Sequence, residues 1–166
     1  MKDEASTEII EGLKEAKIDF VVMMPDSEFS YVQKKVLDDK TFKSVITSNE
    51  SIGVSIGAGA WIGGKKPALL IPTAGLLVAS WPLTSLSMAF EVPMVILIPY
   101  RGDIGDPFWY MGVYKYTTEA TLNTLQIPYT IVSKISEIRE KIKQAQISST
   151  TWLKPIAVLL TGETIW

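Results

Sequence analysis

The sequence predicts one α/β domain, a parallel sheet with helices on both faces. Three observations carry this expectation. Short apolar runs, bounded by Pro, Gly or polar clusters, alternate along the chain with segments of helical periodicity. The runs are continuously apolar, as strands buried on both faces of a parallel sheet are. The length of 166 residues fits a single domain over 1–166 and suffices to bury a core without a disulfide or metal.

The elements follow in order. Ile9, Ile10, Leu13 and Ala16 recur at helical spacing, with Ser6 or Thr7 available as N-cap. Phe20 to Met24 reads as a buried strand ending at Pro25. Tyr31 to Leu37 is helical, and Ser44 to Thr47 is a strand. Ser51 to Ile62 holds Gly53, Gly57 and Gly59. Each interior glycine costs about 1 kcal/mol relative to alanine, so this helix is expected to lie close against a neighbouring backbone. Ala68 to Ile71 is a strand, Leu76 to Phe90 mostly helix despite Pro82, and Met94 to Ile98 a strand. Tyr100 to Lys115 is irregular and rich in Gly, Asp and aromatic residues. Thr118 to Leu125 is a short helix, Tyr129 to Val132 a strand, Ser136 to Gln146 a helix and Ile156 to Leu160 the last strand.

Composition excludes several chemistries. With no cysteine and no histidine, the chain has no thiolate nucleophile, no structural zinc site and no Ser-His-Asp relay. A net charge of −2 gives no electrostatic footprint for nucleic acid. The densest basic stretch, Lys134 to Lys143, is interleaved with Glu137 and Glu140 and reads as a solvated helix face. The start, Met1 to Glu4, is charged and is not a secretory signal. The most apolar stretch, Pro67 to Trp81, is interrupted by Pro72, Thr73 and Gly75 and falls short of the roughly 20 apolar residues of a membrane span. No membrane partner is expected, and the location expected by default is the cytoplasm.

In such sheets ligands bind at the carboxyl ends of the strands. The loops there are Pro25-Asp26-Ser27, Ser48-Asn49-Glu50, Pro72-Thr73-Ala74-Gly75 and Tyr100-Arg101-Gly102-Asp103. Glu50 stands out. An acid in a helix's first turn is favoured by the dipole, by about 0.3–1 kcal/mol, and a lone Glu needs no further reason. Here, however, Asn49 supplies the cap, and the following helix is stripped of large polar groups, so the carboxylate faces a mostly apolar crevice. Asp26 and Ser27 read, by composition, as a turn or N-cap pair opening the next helix. Arg101 is balanced between an ion pair with Asp103 or Asp106 and a planar fork for an acidic substrate group.

The run Ser48-Asn49-Glu50-Ser51-Ile52-Gly53-Val54-Ser55-Ile56-Gly57-Ala58-Gly59-Ala60, followed by Gly63-Gly64-Lys65-Lys66-Pro67, resembles the region around the catalytic glutamate of thiamine-diphosphate enzymes. The nearest likeness is to the alpha subunits of sulfopyruvate decarboxylase and the related phosphonopyruvate decarboxylases. Met24-Pro25-Asp26-Ser27, Ala74-Gly75-Leu76, Pro82-Leu83-Thr84-Ser85-Leu86, Val92-Pro93-Met94 and Arg101-Gly102-Asp103 extend it in order along nearly the whole chain. The resemblance implies the pyrimidine-binding domain of the thiamine-diphosphate fold and the non-oxidative decarboxylation of a 2-oxoacid. Glu50 would hydrogen-bond N1′ of the aminopyrimidine and so promote loss of the thiazolium C2 proton. It implies cofactor contacts from Pro25, Thr73, Gly75 and Leu76 beside Glu50, and substrate contacts from Asp26, Ser27 and Arg101. The family's diphosphate-binding half carries Gly-Asp-Gly and then Asn-Asn, and this chain has neither motif. The expected partner is therefore a separate beta subunit that holds Mg2+ and the diphosphate, in a hetero-oligomer with the active site at the interface.

The sequence also departs from the family. Pro72-Thr73-Ala74-Gly75-Leu76-Leu77-Val78-Ala79 replaces a more polar version, and Phe108-Trp109-Tyr110-Met111-Gly112 is unusually aromatic, as interfaces are. Both suggest a less polar 2-oxoacid than a sulfonate or phosphonate. Two rival readings are a non-catalytic interaction subunit of such a complex and a flavodoxin-like phosphate-binding module. Glu50 speaks against the first, and the lack of a Gly-x-Gly-x-x-Gly or Walker loop against the second.

Overall fold

The computed structural model describes residues 1–166. In chain order the elements are α1 (Asp3–Glu15), β1 (Phe20–Met23), α2 (Ser30–Asp38), β2 (Lys43–Ile46), α3 (Glu50–Ile62), β3 (Pro67–Leu70), α4 (Gly75–Pro82), β4 (Met94–Pro99), α5 (Val113–Thr124), β5 (Tyr129–Val132), α6 (Ile138–Trp152) and β6 (Pro155–Leu160). The six strands form one sheet in the order β2-β1-β3-β4-β6-β5, and every pairing is parallel. The expected fold class is thus the observed one. β1, β3, β4 and β6 are buried throughout, whereas β2 and β5 are the partly exposed edges.

Side chains alternate between two apolar layers, as the strand period of two requires. Val21, Met23, Ala68, Leu70, Val95 and Leu97 point into the layer under α1, α2 and α6. Phe20, Val22, Leu69, Ile71, Ile96 and Ile98 point into the layer under α3, α4 and α5. The chain leaves β1 toward β2 on one side and continues through β3 on the other. That reversal is the switch point at which a crevice opens beyond the strands' carboxyl ends.

Several local expectations are revised. Ser6 and Thr7 do not cap α1. Lys2 occupies that position without a side-chain bond, and both hydroxyls lie inside the helix, donating to the Asp3 carbonyl. Asp3 and Glu4 favour the earlier start, since acids suit a helix's first turn. Pro82 has no N–H to give; α4 ends there, and the chain widens into a π-helical stretch over Leu83–Met88. α5 begins at Val113 rather than Thr118, its first turn held by Lys115 against Asp103 (2.9 Å) and Glu119 (3.4 Å). The α3 glycines meet side chains rather than backbone. A Cβ on Gly53 would touch Leu69 and Thr47, one on Gly57 would touch Met94, and one on Gly59 would meet nothing.

α1 crosses α6 closely at Gly12. A Cβ at Gly12 would lie 3.1 Å from both the Arg139 Cα and the Ile142 Cδ1. One of those atoms is backbone, so the helices themselves must part. Gly12→Val is expected to destabilise the fold by about 1–3 kcal/mol, as overpacking does, despite valine's better helix propensity. A thermal melt of the variant checks this, and an unchanged midpoint shows that the crossing is not tight.

Candidate functional site

Glu50 opens α3 directly after β2. Asn49 is the N-cap, and its Oδ1 accepts from the Ser51 N–H at 2.8 Å. Thr47 Oγ1 donates to the Asn49 carbonyl at 3.0 Å and fixes the turn. Asn49 thus does the capping, and the Glu50 carboxylate is left over. Glu50 as a residue is 8% exposed; its carboxylate oxygens still touch solvent and take part in no hydrogen bond or ion pair within the chain. Opposite it is Gly75, the first residue of α4, whose N–H bonds the Pro72 carbonyl in the preceding turn. A Cβ at Gly75 would collide with the Glu50 carboxylate. The glycine is there to leave room, a reason that sequence order alone does not disclose.

The turn that carries Gly75 also walls a small cavity of about 80 Å³. Pro72, Thr73 and Ala74 line it from β3, Asp26, Ser27 and Glu28 from β1, and Arg101 from β4. Met111 and Tyr114 close it from the aromatic segment. Thr73 is buried with its hydroxyl committed: Oγ1 donates to the Pro99 carbonyl and accepts from the Arg101 N–H at 3.2 Å. Asp26 accepts from the Glu28 and Phe29 N–H groups at 2.8 and 3.1 Å, so it does cap its turn. Burial pushes its carboxyl pKa up, against the pull of those two N–H groups.

Arg101 is buried and multiply paired. Its Nε and Nη2 donate to Asp106 at 2.7 and 2.9 Å, and Nη1 meets Glu28. Phe108 covers the guanidinium, with its ring centroid 5.0 Å from Cζ. Asp106 also accepts from the Gly102 and Phe108 N–H groups, so one carboxylate organises the whole loop. The bond to Arg101 holds the Asp106 carboxyl well below the usual range, at about 2. Behind the loop, Tyr100 and Tyr129 both donate to Glu119. Burial, and then Glu119, push the Tyr100 phenol up to about 12.

The structure therefore brings Asp26, Ser27, Thr73 and Arg101 to one cavity and sets Glu50 and Gly75 against each other behind its wall. Pro25 is exposed at the end of β1 and Leu76 is buried in the core, so neither lines the cavity. Glu28 and Tyr114 were not singled out from the sequence, and Met111 only as part of the aromatic segment. Glu28 lies 73 residues from Arg101, and no local signal pairs them. Volume does not select this site. A hollow of about 440 Å³ between α1 and α2 is larger, but it lies among Thr7, Glu11, Lys35 and Asp39, away from the strands' carboxyl ends.

No protein-family model matches the chain. Two archaeal relatives cover it almost entirely. A sulfopyruvate decarboxylase subunit alpha from Methanothermobacter thermautotrophicus is 30% identical over 160 residues, covering 96% of this chain and 97% of the relative. The same subunit from Methanococcus maripaludis is 29% identical over 156 residues, 94% and 93% of the two chains. A phosphonopyruvate decarboxylase from Streptomyces viridochromogenes is 26% identical over 101 residues, 61% of this chain and 25% of that protein. Among solved structures, the 2-oxoglutarate:ferredoxin oxidoreductase from Magnetococcus marinus, with 2-oxoglutarate, coenzyme A and succinyl-CoA bound, matches with a TM-score of 0.72 at 17% identity. The match covers 100% of this chain and 30% of that one, and shows the fold alone. Sequence and fold together place the chain among subunits of decarboxylases, the carboxy-lyases. Within that class it belongs to the family of sulfopyruvate decarboxylase alpha subunits.

Two tests follow from the geometry. Gly75→Ala suits a helix start, so the fold is expected to survive while the Glu50 carboxylate is displaced. A melting temperature within a few degrees of the parent, with at least a tenfold loss of activity in the assembled enzyme, is the expected pair of results. The second concerns Asp106. Its folded pKa of about 2 lies below its unfolded value, so its contribution is full above about pH 4 and lost as pH falls through about 2. Asp106→Asn is expected to remove about 2 kcal/mol at pH 7 and to flatten the stability loss between pH 4 and 2. Urea titrations of both proteins at the two pH values check it.

Proposed function

We propose that this chain is the alpha subunit of a thiamine-diphosphate-dependent, non-oxidative 2-oxoacid decarboxylase that acts in the cytoplasm. Residues 1–166 form its pyrimidine-binding domain, and a separate beta subunit holds the diphosphate and Mg2+. One observation supports the reading: Glu50 is a largely buried residue whose carboxylate has no partner in its own chain and packs against Gly75, where any Cβ would collide with it. A buried charge normally requires a partner. The aminopyrimidine of thiamine diphosphate, which can be protonated at N1′, is a partner of the right chemistry.

When bound, the cofactor supplies the electron sink for the pair left behind as carbon dioxide departs. The chain's own residues do the rest. Glu50 would accept a hydrogen bond from N1′ and, through its negative charge, favour the protonated ring. Gly75 leaves the carboxylate its position. Thr73 ties the β3 turn to the end of β4, and Asp26 and Ser27 line the substrate side. Arg101 reaches the same cavity with its guanidinium already occupied, and so acts there by fixing Glu28 and Asp106. The chain offers no group of three or more acidic side chains placed to hold a cation, which supports assigning Mg2+ to the partner. No helix is long and apolar enough to cross a membrane.

The relatives' designation as alpha subunits supports the partner. So does the surface. Ile52 on α3 and Leu77, Val78 and Trp81 on α4 are exposed, Trp81 at 75%. Leu77 and Tyr116 share the groove between α4 and α5. An apolar patch of this kind marks an interaction site.

The test is Glu50→Gln in the complex reconstituted with the beta subunit. Glutamine keeps the size but cannot stabilise a protonated ring. Assembly is expected to survive, and exchange of the cofactor's C2 proton to slow by roughly two to four decades, the range for lost acid–base assistance. A parental exchange rate would remove Glu50 from the mechanism.

A further inference from the structure

We infer that the beta subunit seats an apolar, uncharged segment in the groove between α4 and α5. The inference rests on the proposed two-subunit decarboxylase and names where the two chains meet. The two faces of the sheet differ in charge. α1, α2 and α6 carry lysine, arginine or acidic residues along their sequences, as solvated helices do. The helices on the other face do not. The only charged residue of α3 is the largely buried Glu50, and α4 has none. α5 has two, Lys115 and Glu119, and both are committed. Lys115 bonds Asp103 and Glu119, and Glu119 accepts from Tyr100 and Tyr129.

The groove also turns its hydroxyls inward. Ser80 Oγ donates to the Leu76 carbonyl at 2.8 Å, and Thr124 Oγ1 to the Ala120 carbonyl at 2.8 Å, each within its own helix. Thr117 Oγ1 turns back to the Tyr114 carbonyl at 3.5 Å. What a partner meets is mostly carbon, beside Leu77, Tyr116 and Ala120. The hollow measures about 360 Å³, and no charged side chain lines it. A charged segment would lose its hydration here and find no opposite charge, so the seat selects an uncharged one.

Its position suits the chain that completes the site. α4 and α5 both start at the strands' carboxyl ends, where the cavity lies, and run away from them. Leu77 stands two residues past Gly75, which faces Glu50, and Tyr116 two residues past Tyr114, which closes the cavity. The groove is thus continuous with the half-site. From Tyr116 to Leu125 it extends about 14 Å, at 1.5 Å per helical residue. The relatives' designation as alpha subunits supplies the occupant, a second kind of chain.

The experiment titrates this chain with the beta subunit, the chain bearing Gly-Asp-Gly and Asn-Asn, by sedimentation velocity with thiamine diphosphate and Mg2+ present. Leu77→Glu and Ala120→Glu each put a carboxylate into the groove from an exposed helical position. Each is expected to raise Kd for the beta subunit at least tenfold, with a melting temperature within a few degrees of the parent. Ile147→Glu, exposed on α6 across the sheet, is expected to leave Kd within twofold. With excess beta subunit, kcat of the groove variants is expected to return to the parental value, which damage to the site itself would prevent. Parental Kd in both groove variants overturns the inference. So does loss of self-association between copies of this chain with unchanged affinity for the beta subunit. A parental complex that assembles but decarboxylates no 2-oxoacid overturns the decarboxylase reading, while the Kd values still decide the docking site.

Discussion

The site depends on one carboxylate held where its own chain does not satisfy it. Glu50 is largely buried and unpaired within its chain, and three features hold its carboxylate in place. The carboxylate sits at the amino end of α3, where the helix dipole favours negative charge. Asn49 takes over the capping bond, so the carboxylate is not drawn back onto the backbone. Gly75 removes the one Cβ that would force it aside. None of the three gives the carboxylate a hydrogen-bond partner, which supports reading it as a ligand-binding group. The parallel order of β2, β1 and β3 matters for the same reason, since it sets the turn after β2 beside the turn after β3.

The loop after β4 is governed by a second constraint. Asp106 binds Arg101 through both oxygens and also collects the Gly102 and Phe108 N–H groups. Gly102 has φ of +81°, and a Cβ there would strike the Met111 carbonyl, so the loop closes on itself only with glycine at that position. Arg101 then reaches across to Glu28 on the β1 side. An irregular segment rich in aromatics thereby becomes a fixed wall, and the charges of the cavity are set by the fold rather than by mobile side chains. Breaking a buried pair of this kind is costly even where forming it gains little, which makes the network a device for position more than for stability.

Much of this was legible in the sequence, for physical reasons. The strands are buried on both faces, so their apolar runs stand out. α3 was readable because Asn49 and the small residues after it mark a start and a close-packed face. Glu50 was readable because a charged residue followed an apolar run at a strand's carboxyl end. Other features are written in three dimensions only. Gly75 looks like any glycine before a helix until Glu50 lies against it. Asp106 could be anticipated as a partner for Arg101 from five residues away, but Glu28 could not. The early start of α5 was hidden because Tyr114 and Tyr116 look like loop aromatics until Lys115 finds Asp103 and Glu119. Ser6 and Thr7 misled because a hydroxyl near a helix start serves equally as a cap or as a bond back to the Asp3 carbonyl.

The division of labour between two chains follows from the same layout. Both apolar layers of the sheet close within this chain, so its core does not require a partner. What stays open is the α3–α4 side, with Ile52, Leu77, Val78 and Trp81 exposed, and the aromatic segment, with Trp109 at 91% exposure. The chain has no Gly-Asp-Gly or Asn-Asn motif and no group of three acidic side chains placed to hold a cation, while the Glu50 carboxylate is present at a strand's carboxyl end. Under the proposed function, a chain of this design contributes half a site: the Glu50 carboxylate, a wall fixed by Arg101 and an apolar face for docking. The other half would then come from the partner subunit, which would hold the diphosphate. A partner docking on the aromatic segment would also meet the Arg101 network at its rim, since Phe108 covers the guanidinium and donates its N–H to Asp106.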